Sequence, residues 1–295
     1  MVMIPAAGAK ANMTSTPPVA AVPQAVLSNG IEIPMLGIGM DQVWDPEIAH
    51  RALRVAFEVG YRSVDTASSY GNEEAVGRAL AESGLPREQF FVTTKVNALD
   101  HGFDSTLRAF DRSLGLLGLD YLDSYLVHWP GRYALVDTWR ALQRLYEQGR
   151  VRVIGVCNCN AHHLERLGDV GGPMPMVDQV EWHVYFQQRA LAAWCADHRI
   201  LVEAWSPLMC GGAALHDPVV VETAKSVGRT PAQVILRWHL QQGRRVFPKS
   251  VTPTRIAENI GIFDFSLTEA QLLAFDALGS RNLRIGPDPD LFFMR

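Results

Sequence analysis

Four side chains in this sequence could together pass a proton to a carbonyl oxygen: Asp65, Tyr70, Lys95 and His128. Asp65 and Tyr70 lie in the stretch VDTASSYGNEEAVGRAL, where a strand-like run ending at Asp65 gives way to small residues before a helical pattern begins at Glu73. Lys95 closes the apolar run FFVTTKV, and His128 closes LDSYLVH just before Trp129 and Pro130. A buried ammonium is costly unless paired, and Asp65 at the end of another strand is its natural partner. A phenol with a pKa of ~10 becomes a usable proton donor or acceptor near neutrality only when a cation stabilises its phenolate, and a nearby histidine can orient a carbonyl and share the proton. Taken singly, each residue has a plainer explanation: a structural Lys–Asp pair, a core histidine bonded to a carbonyl, a tyrosine on a loop. Only the combination points to catalysis.

Residues that end apolar runs need strands to carry them. Strand-like runs occur at 35–39, 62–65, 90–96, 122–128, 152–158, 176–182, 200–205 and 245–249, with helical patterns between them. Strands alternating with helices imply parallel βαβ units, and eight of them without a break in composition fit an α/β fold of the closed (β/α)8 TIM-barrel type. Such a barrel places its chemistry at the C-terminal ends of its strands, where these four residues fall. Ahead of the barrel, AVLSNGIEIPML carries Asn29-Gly30 between two apolar runs and predicts a hairpin capping the barrel floor. The stretch from Thr268 to Leu278 and the tail LRIGPDPDLFFMR lie outside the eightfold count, as an extra C-terminal helix and tail. The Ala/Pro-rich residues 1–24 are expected to be a flexible tail, and residues 25–295 a single barrel domain.

Composition excludes several classes. With 295 residues, 48% of them apolar, the chain can bury a full core, and a net charge of -4 offers no basic field for nucleic acid or acidic lipid. No stretch reaches the ~18 uninterrupted apolar residues of a membrane helix. Cys157, Cys159, Cys195 and Cys210 lack metal-type spacing and read as reduced thiols of a cytosolic protein. His162 and His163, adjacent on an expected helix, should face apart, and with His183 they make a weak case for a metal-dependent hydrolase. No metal is expected.

The segments VDTASSYGNE, TTKV, YLVHWP, VIGVCNCN, DQVEWH, EAWSPL and VFPKSVTPTRIAENI, in this order across residues 25–290, resemble the successive signature segments of the aldo-keto reductase family. The bacterial branch that includes 2,5-diketo-D-gluconate reductase is the nearest in pattern. The resemblance implies an NADPH-dependent carbonyl reductase with Asp65, Tyr70, Lys95 and His128 as its catalytic tetrad. It also implies that Asn158 and Gln179 bind the nicotinamide amide, that Trp205 stacks on the ring in place of a frequent tyrosine, and that Ser206 and Leu208 line the pyrophosphate. Independently of the resemblance, no GxGxxG motif opens a βαβ unit, whereas Lys249, Ser250 and Arg255 gather around a helix start as a 2′-phosphate would require. In the family, Glu258 and Asn259 then face the adenine.

Departures from the family pattern fall at the substrate mouth. Met40 and Asp41 stand where a small or hydroxyl residue and an aromatic are common, and Asn97 stands where a tryptophan is common. Both changes strip aromatic wall from the pocket, which Trp44, Trp129 and the tail around Leu291 could refill. Cys157 stands where a serine commonly precedes the asparagine, a poorer hydrogen-bond donor. The sequence therefore predicts a monomeric, cytosolic NADPH-dependent reductase of aldehydes or ketones, of keto-sugar or dicarbonyl type. The rival reading is a cofactor-holding barrel that senses redox state with negligible turnover.

Overall fold

The computed structural model describes residues 22–292. Residues 1–21, most of the expected tail, lie outside the described residues; Gln24 already belongs to the first strand.

Strands β1 (Gln24–Val26) and β2 (Glu32–Pro34) form the antiparallel hairpin, turning through Gly30 at a φ of 84°, a left-handed conformation that glycine adopts without strain. The Asn29 side chain donates to the carbonyl of Arg152 at 3.0 Å, which seats the hairpin at the N-terminal end of a barrel strand, on the floor as expected.

Eight parallel strands follow: β3 (Ile38–Gly39), β4 (Ser63–Asp65), β5 (Phe91–Val96), β6 (Leu122–Val127), β7 (Val151–Cys157), β8 (Val177–Glu181), β9 (Leu201–Trp205) and β10 (Arg245–Val246). They pair in sequence order, and parallel bridges from Leu36 to Val246 and from Gly39 to Lys249 close the first strand onto the last. The two terminal strands are shorter than the apolar runs that announced them, because their remaining pairing is confined to those isolated bridges.

Helices α1 (Pro46–Glu58), α2 (Glu73–Glu82), α3 (Phe103–Leu117), α4 (Leu135–Glu147), α5 (Ala161–Gly168), α6 (Arg189–Asp197), α7 (Pro218–Val227), α8 (Pro231–Gln241) and α9 (Pro253–Ile260) fill the connections, and α10 (Glu269–Leu278) is the expected extra helix. Their starts follow ordinary capping chemistry: the Asp45 carboxylate accepts the backbone N–H of Glu47 and of Ile48 ahead of α1, and Thr230 and Gln233 cap α8 reciprocally.

Alternation along the strands sorts side chains between the two sides of the barrel wall. On β5, Thr94 points outward and donates to the Glu73 carboxylate of α2 at 2.6 Å, so Thr93 and Lys95 point inward. Among the described residues, no helix is long and apolar enough to cross a membrane.

Candidate active site

Asp65 ends β4, Lys95 lies near the end of β5 and His128 directly follows β6, so three consecutive neighbours in the barrel deliver these side chains to one mouth. Tyr70 arrives on a short 3-10 turn, Ser68–Tyr70, which the Ser68 hydroxyl pins to the wall by donating to the Lys95 carbonyl at 2.9 Å. The left-handed Gly71, at a φ of 67°, then redirects the chain into α2.

The Lys95 ammonium is fully buried and donates to the Asp65 carboxylate at 2.6 Å and to the Thr66 carbonyl at 3.0 Å. It lies 5.1 Å from the centroid of the Tyr70 ring, and the His128 ring meets the same tyrosine edge-on at 5.5 Å. Burial by itself would lower the Lys95 pKa, but Asp65 and Tyr70 outweigh it, and the lysine titrates above its ordinary range as a committed cation. Burial raises the Tyr70 phenol, and Lys95 is the opposing influence that favours the phenolate. His128 is held well below the usual imidazole range, first by burial and then by the Lys95 charge, so its ring is neutral. The Ser69 hydroxyl lies 3.3 Å from its Nδ1.

A feature the sequence reading missed runs beneath this cluster. The Gln179 amide nitrogen donates to Asp65 at 2.8 Å and to Glu203 at 3.1 Å, and the second carboxylate oxygen of Glu203 is paired with the Arg245 guanidinium. Arg245 also donates to the Ser63 hydroxyl at 2.6 Å and to the Pro34 carbonyl of the hairpin at 2.7 Å. A chain of buried polar groups thus links the barrel floor to Lys95. Its one visible signal in the sequence is charge inside otherwise apolar strands, at Glu203 and Arg245.

The residues expected at the cofactor occupy a band around this centre. The Asn158 amide donates to the His128 carbonyl at 3.0 Å and accepts from the Trp205 indole at 2.8 Å, which fixes the orientation of the indole. Asn158 and Ser206 both hold left-handed backbone, at φ values of 59° and 48°, costly for non-glycine residues and frequent at functional sites. Leu208 is half-buried, and the Ser206 hydroxyl contacts the Cys210 sulfur at 3.6 Å. Lys249 and Arg255 stand exposed around the start of α9, and neither has an acidic partner among the described residues. Two cations at the positive end of a helix oppose its dipole, an arrangement that an anion relieves. Ser250 accepts the Thr252 backbone N–H at 3.1 Å, the Thr230 hydroxyl donates to Glu258 at 2.5 Å, and Asn259 is buried. These residues fit a phosphorylated dinucleotide.

The expected mouth residues divide. Asp41 and Trp44 are exposed, while Met40 is fully buried and belongs to the core, contrary to its expected place in the pocket wall. The Asn97 side-chain Oδ1 accepts the Leu99 backbone N–H at 3.1 Å, so this side chain caps a turn. Trp129 is covered by Phe292 of the tail, with ring centroids 4.4 Å apart. That tail is anchored where the Glu181 carboxylate accepts the N–H groups of Ile285 and Gly286 at 2.7 and 2.8 Å. Gly286 allows this close approach, since a Cβ there would come within 2.5 Å of the Trp205 ring.

A second expectation is overturned. The His162 and His163 rings do not face apart; their centroids are 4.0 Å from each other, and both Nε2 atoms face Asp290 of the tail, at 3.2 and 3.5 Å. His163 Nδ1 accepts the Asn160 backbone N–H at 3.1 Å, which leaves the proton of a neutral ring on Nε2 and removes the lone pair that a metal ion would need.

With the geometry in hand, comparison with known proteins fixes the family. Residues 35–280 match the aldo/keto reductase family, to which the chain belongs. It is 48% identical to the 9,11-endoperoxide prostaglandin H2 reductase of Trypanosoma cruzi, over 90% of this chain and 95% of that protein. It is 47% identical to the glyoxal reductase of Bacillus subtilis, again over 90% of this chain and 95% of the relative. Among solved structures, a point mutant of Gox0644 in complex with NADPH superposes with a TM-score of 0.88 at 41% identity, covering 93% of this chain and 100% of that one.

Proposed function

We propose that this protein reduces aldehydes or ketones to alcohols with NADPH, with Tyr70 as the general acid. The observation that supports the reading best is the buried Lys95–Asp65 pair beneath the Tyr70 ring, with a neutral His128 at its edge. When bound, the nicotinamide supplies the hydride that the carbonyl carbon receives. Tyr70 gives its proton to the carbonyl oxygen as charge develops there, and Lys95 stabilises the phenolate left behind. Asp65 holds Lys95 in place. The neutral His128 imidazole, with the Ser69 hydroxyl 3.3 Å from its Nδ1, would orient the carbonyl through its other nitrogen. Asn158, Gln179 and Trp205 would hold the nicotinamide, Ser206 and Leu208 the pyrophosphate, Lys249, Ser250 and Arg255 the 2′-phosphate, and Glu258 and Asn259 the adenine.

The B. subtilis relative is named for glyoxal, which favours a small dicarbonyl substrate over a keto-sugar. The reading extends to a monomer in a reducing, cytosolic compartment, consistent with four free cysteines of which three are buried. The rival, a barrel without turnover, draws no support from relatives named as reductases.

The deciding experiment follows the loss of NADPH absorbance against a panel of aldehydes, ketones and dicarbonyls with wild type and Tyr70→Phe. Turnover on the panel should fall by roughly 10² to 10⁴ in the variant while NADPH binding persists. Retained turnover in Tyr70→Phe would remove the tyrosine from its role, and an inert wild type would favour the rival.

A further inference from the structure

We propose that Asp41 is a specificity residue that selects against anionic carbonyl compounds, so that the substrates of this enzyme are neutral or cationic at the end facing the β3–α1 loop. The inference rests on the reading above, that carbonyl reduction takes place beside Tyr70.

Asp41 follows β3, on the loop between Gly39 and α1, at the mouth of the barrel. That loop is built rigidly against the catalytic turn. The Met40 N–H donates to the Asp65 carbonyl at 2.9 Å, and the Asn72 side chain donates to the carbonyls of Met40 and Val43 at 2.9 and 3.0 Å. Asn72 is itself fixed by the Thr66 hydroxyl at 2.5 Å and is buried. Asp41 therefore sits between two residues clamped to the same asparagine, directly beyond the turn that carries Tyr70. Its charge is felt at that site: it opposes ionisation of the Tyr70 phenol, in the same sense as Asp65.

Asp41 has no ion pair among the described residues, Lys95 is committed to Asp65, and His128 is neutral. A substrate carboxylate turned toward this loop would enter against a fixed negative charge, whereas a neutral group there would not. Two unit charges a few ångströms apart near a protein surface interact strongly enough for about a tenfold change in kcat/KM.

The test uses three para-substituted benzaldehydes of similar size: 4-formylbenzoate, its methyl ester, and the 4-trimethylammonio compound. In wild type the ester-to-carboxylate ratio of kcat/KM should be about ten or more, and it should shrink at high salt. Asp41→Asn should lower that ratio roughly tenfold and also lower the preference for the cationic aldehyde over the ester. A merely structural disturbance moves all three substrates together and leaves both ratios unchanged. Ratios near one in wild type, or ratios unaltered in Asp41→Asn, with the ester still reduced, would overturn the inference and leave the reductase reading standing. No reduction of any of the three, nor of the wider carbonyl panel, would overturn both.

Discussion

In the proposed site, Lys249 and Arg255 would bias the choice of cofactor through their charge. Both lie exposed near the start of α9 without acidic partners among the described residues, so in the free protein their charges are solvated and unmatched. A dianionic phosphate gains charge-assisted hydrogen bonds there, whereas a ribose hydroxyl gains little. Arg255→Ala is therefore expected to weaken NADPH binding by about 1.5 to 3 kcal/mol and leave NADH nearly unchanged. Quenching of tryptophan fluorescence, with Trp205 beside the site, measures both constants. Equal losses for the two cofactors would mean that Arg255 supports the local fold instead. At this scale the sequence was informative where chemistry constrains residue type. The four candidate catalytic positions converge, as a lysine, an aspartate and a histidine ending apolar runs suggest when they are taken together with the tyrosine. It was less informative at Met40, whose type permits either pocket wall or core and which the structure buries fully.

Among the elements, α5 shows why spacing alone misplaced a pair of histidines. Adjacent helical positions point about 100° apart, which suggested divergence. The His163 ring is instead drawn back to the helix start to cap it, and a tail contributed from far along the chain brings Asp290 to both rings. Neither the rotamer nor the long-range partner is visible as periodicity. Strands and helices, by contrast, were legible because each has a repeating apolar signature, and the terminal strands lost length only where their partners supply isolated bridges. The cap has a titratable consequence. Burial first, then the neighbouring His162, lower the His163 pKa to about 4, against the partial opposition of Asp290. A group whose folded pKa is depressed contributes stability above its unfolded pKa of ~6.5 and loses it as pH falls toward the folded value. His163→Gln keeps the N3 side-chain acceptor of a capping box without the titration. Urea unfolding should find the variant gaining on wild type between about pH 7 and pH 5, by about 1 kcal/mol or less once solvent screening is counted. A wild type that gains on acidification would show that the ion pair with Asp290 dominates.

Over the whole molecule, the barrel is organised around a buried polar axis as much as around its apolar layers. Arg245 on the last strand, Glu203 beside it, Gln179 on the next strand and Asp65 on the opposite side of the lumen connect the hairpin floor to the Lys95 ammonium. Each of these residues points inward, and the pairing register sets Gln179 opposite Glu203 and Glu203 opposite Arg245. The sequence marked the anomaly, charge within apolar runs, but could not identify the partners, because barrel closure and strand stagger decide which inward residues share a layer. Closure makes the axis a test of the fold as a unit. Arg245→Met leaves the Glu203 carboxylate uncompensated in the lumen, and breaking one side of a buried pair typically costs about 3 to 5 kcal/mol. Replacing both partners by apolar groups removes the charge altogether, so Arg245→Met combined with Glu203→Leu should recover much of that loss. Recovery will be incomplete, since the Pro34 carbonyl and the Ser63 hydroxyl lose their donor and Gln179 loses an acceptor. Denaturant unfolding of wild type, both single variants and the double variant measures the coupling directly. Losses that simply add would show that the two charges are stabilised separately by the lumen, and that the axis is a row of neighbours without mutual dependence.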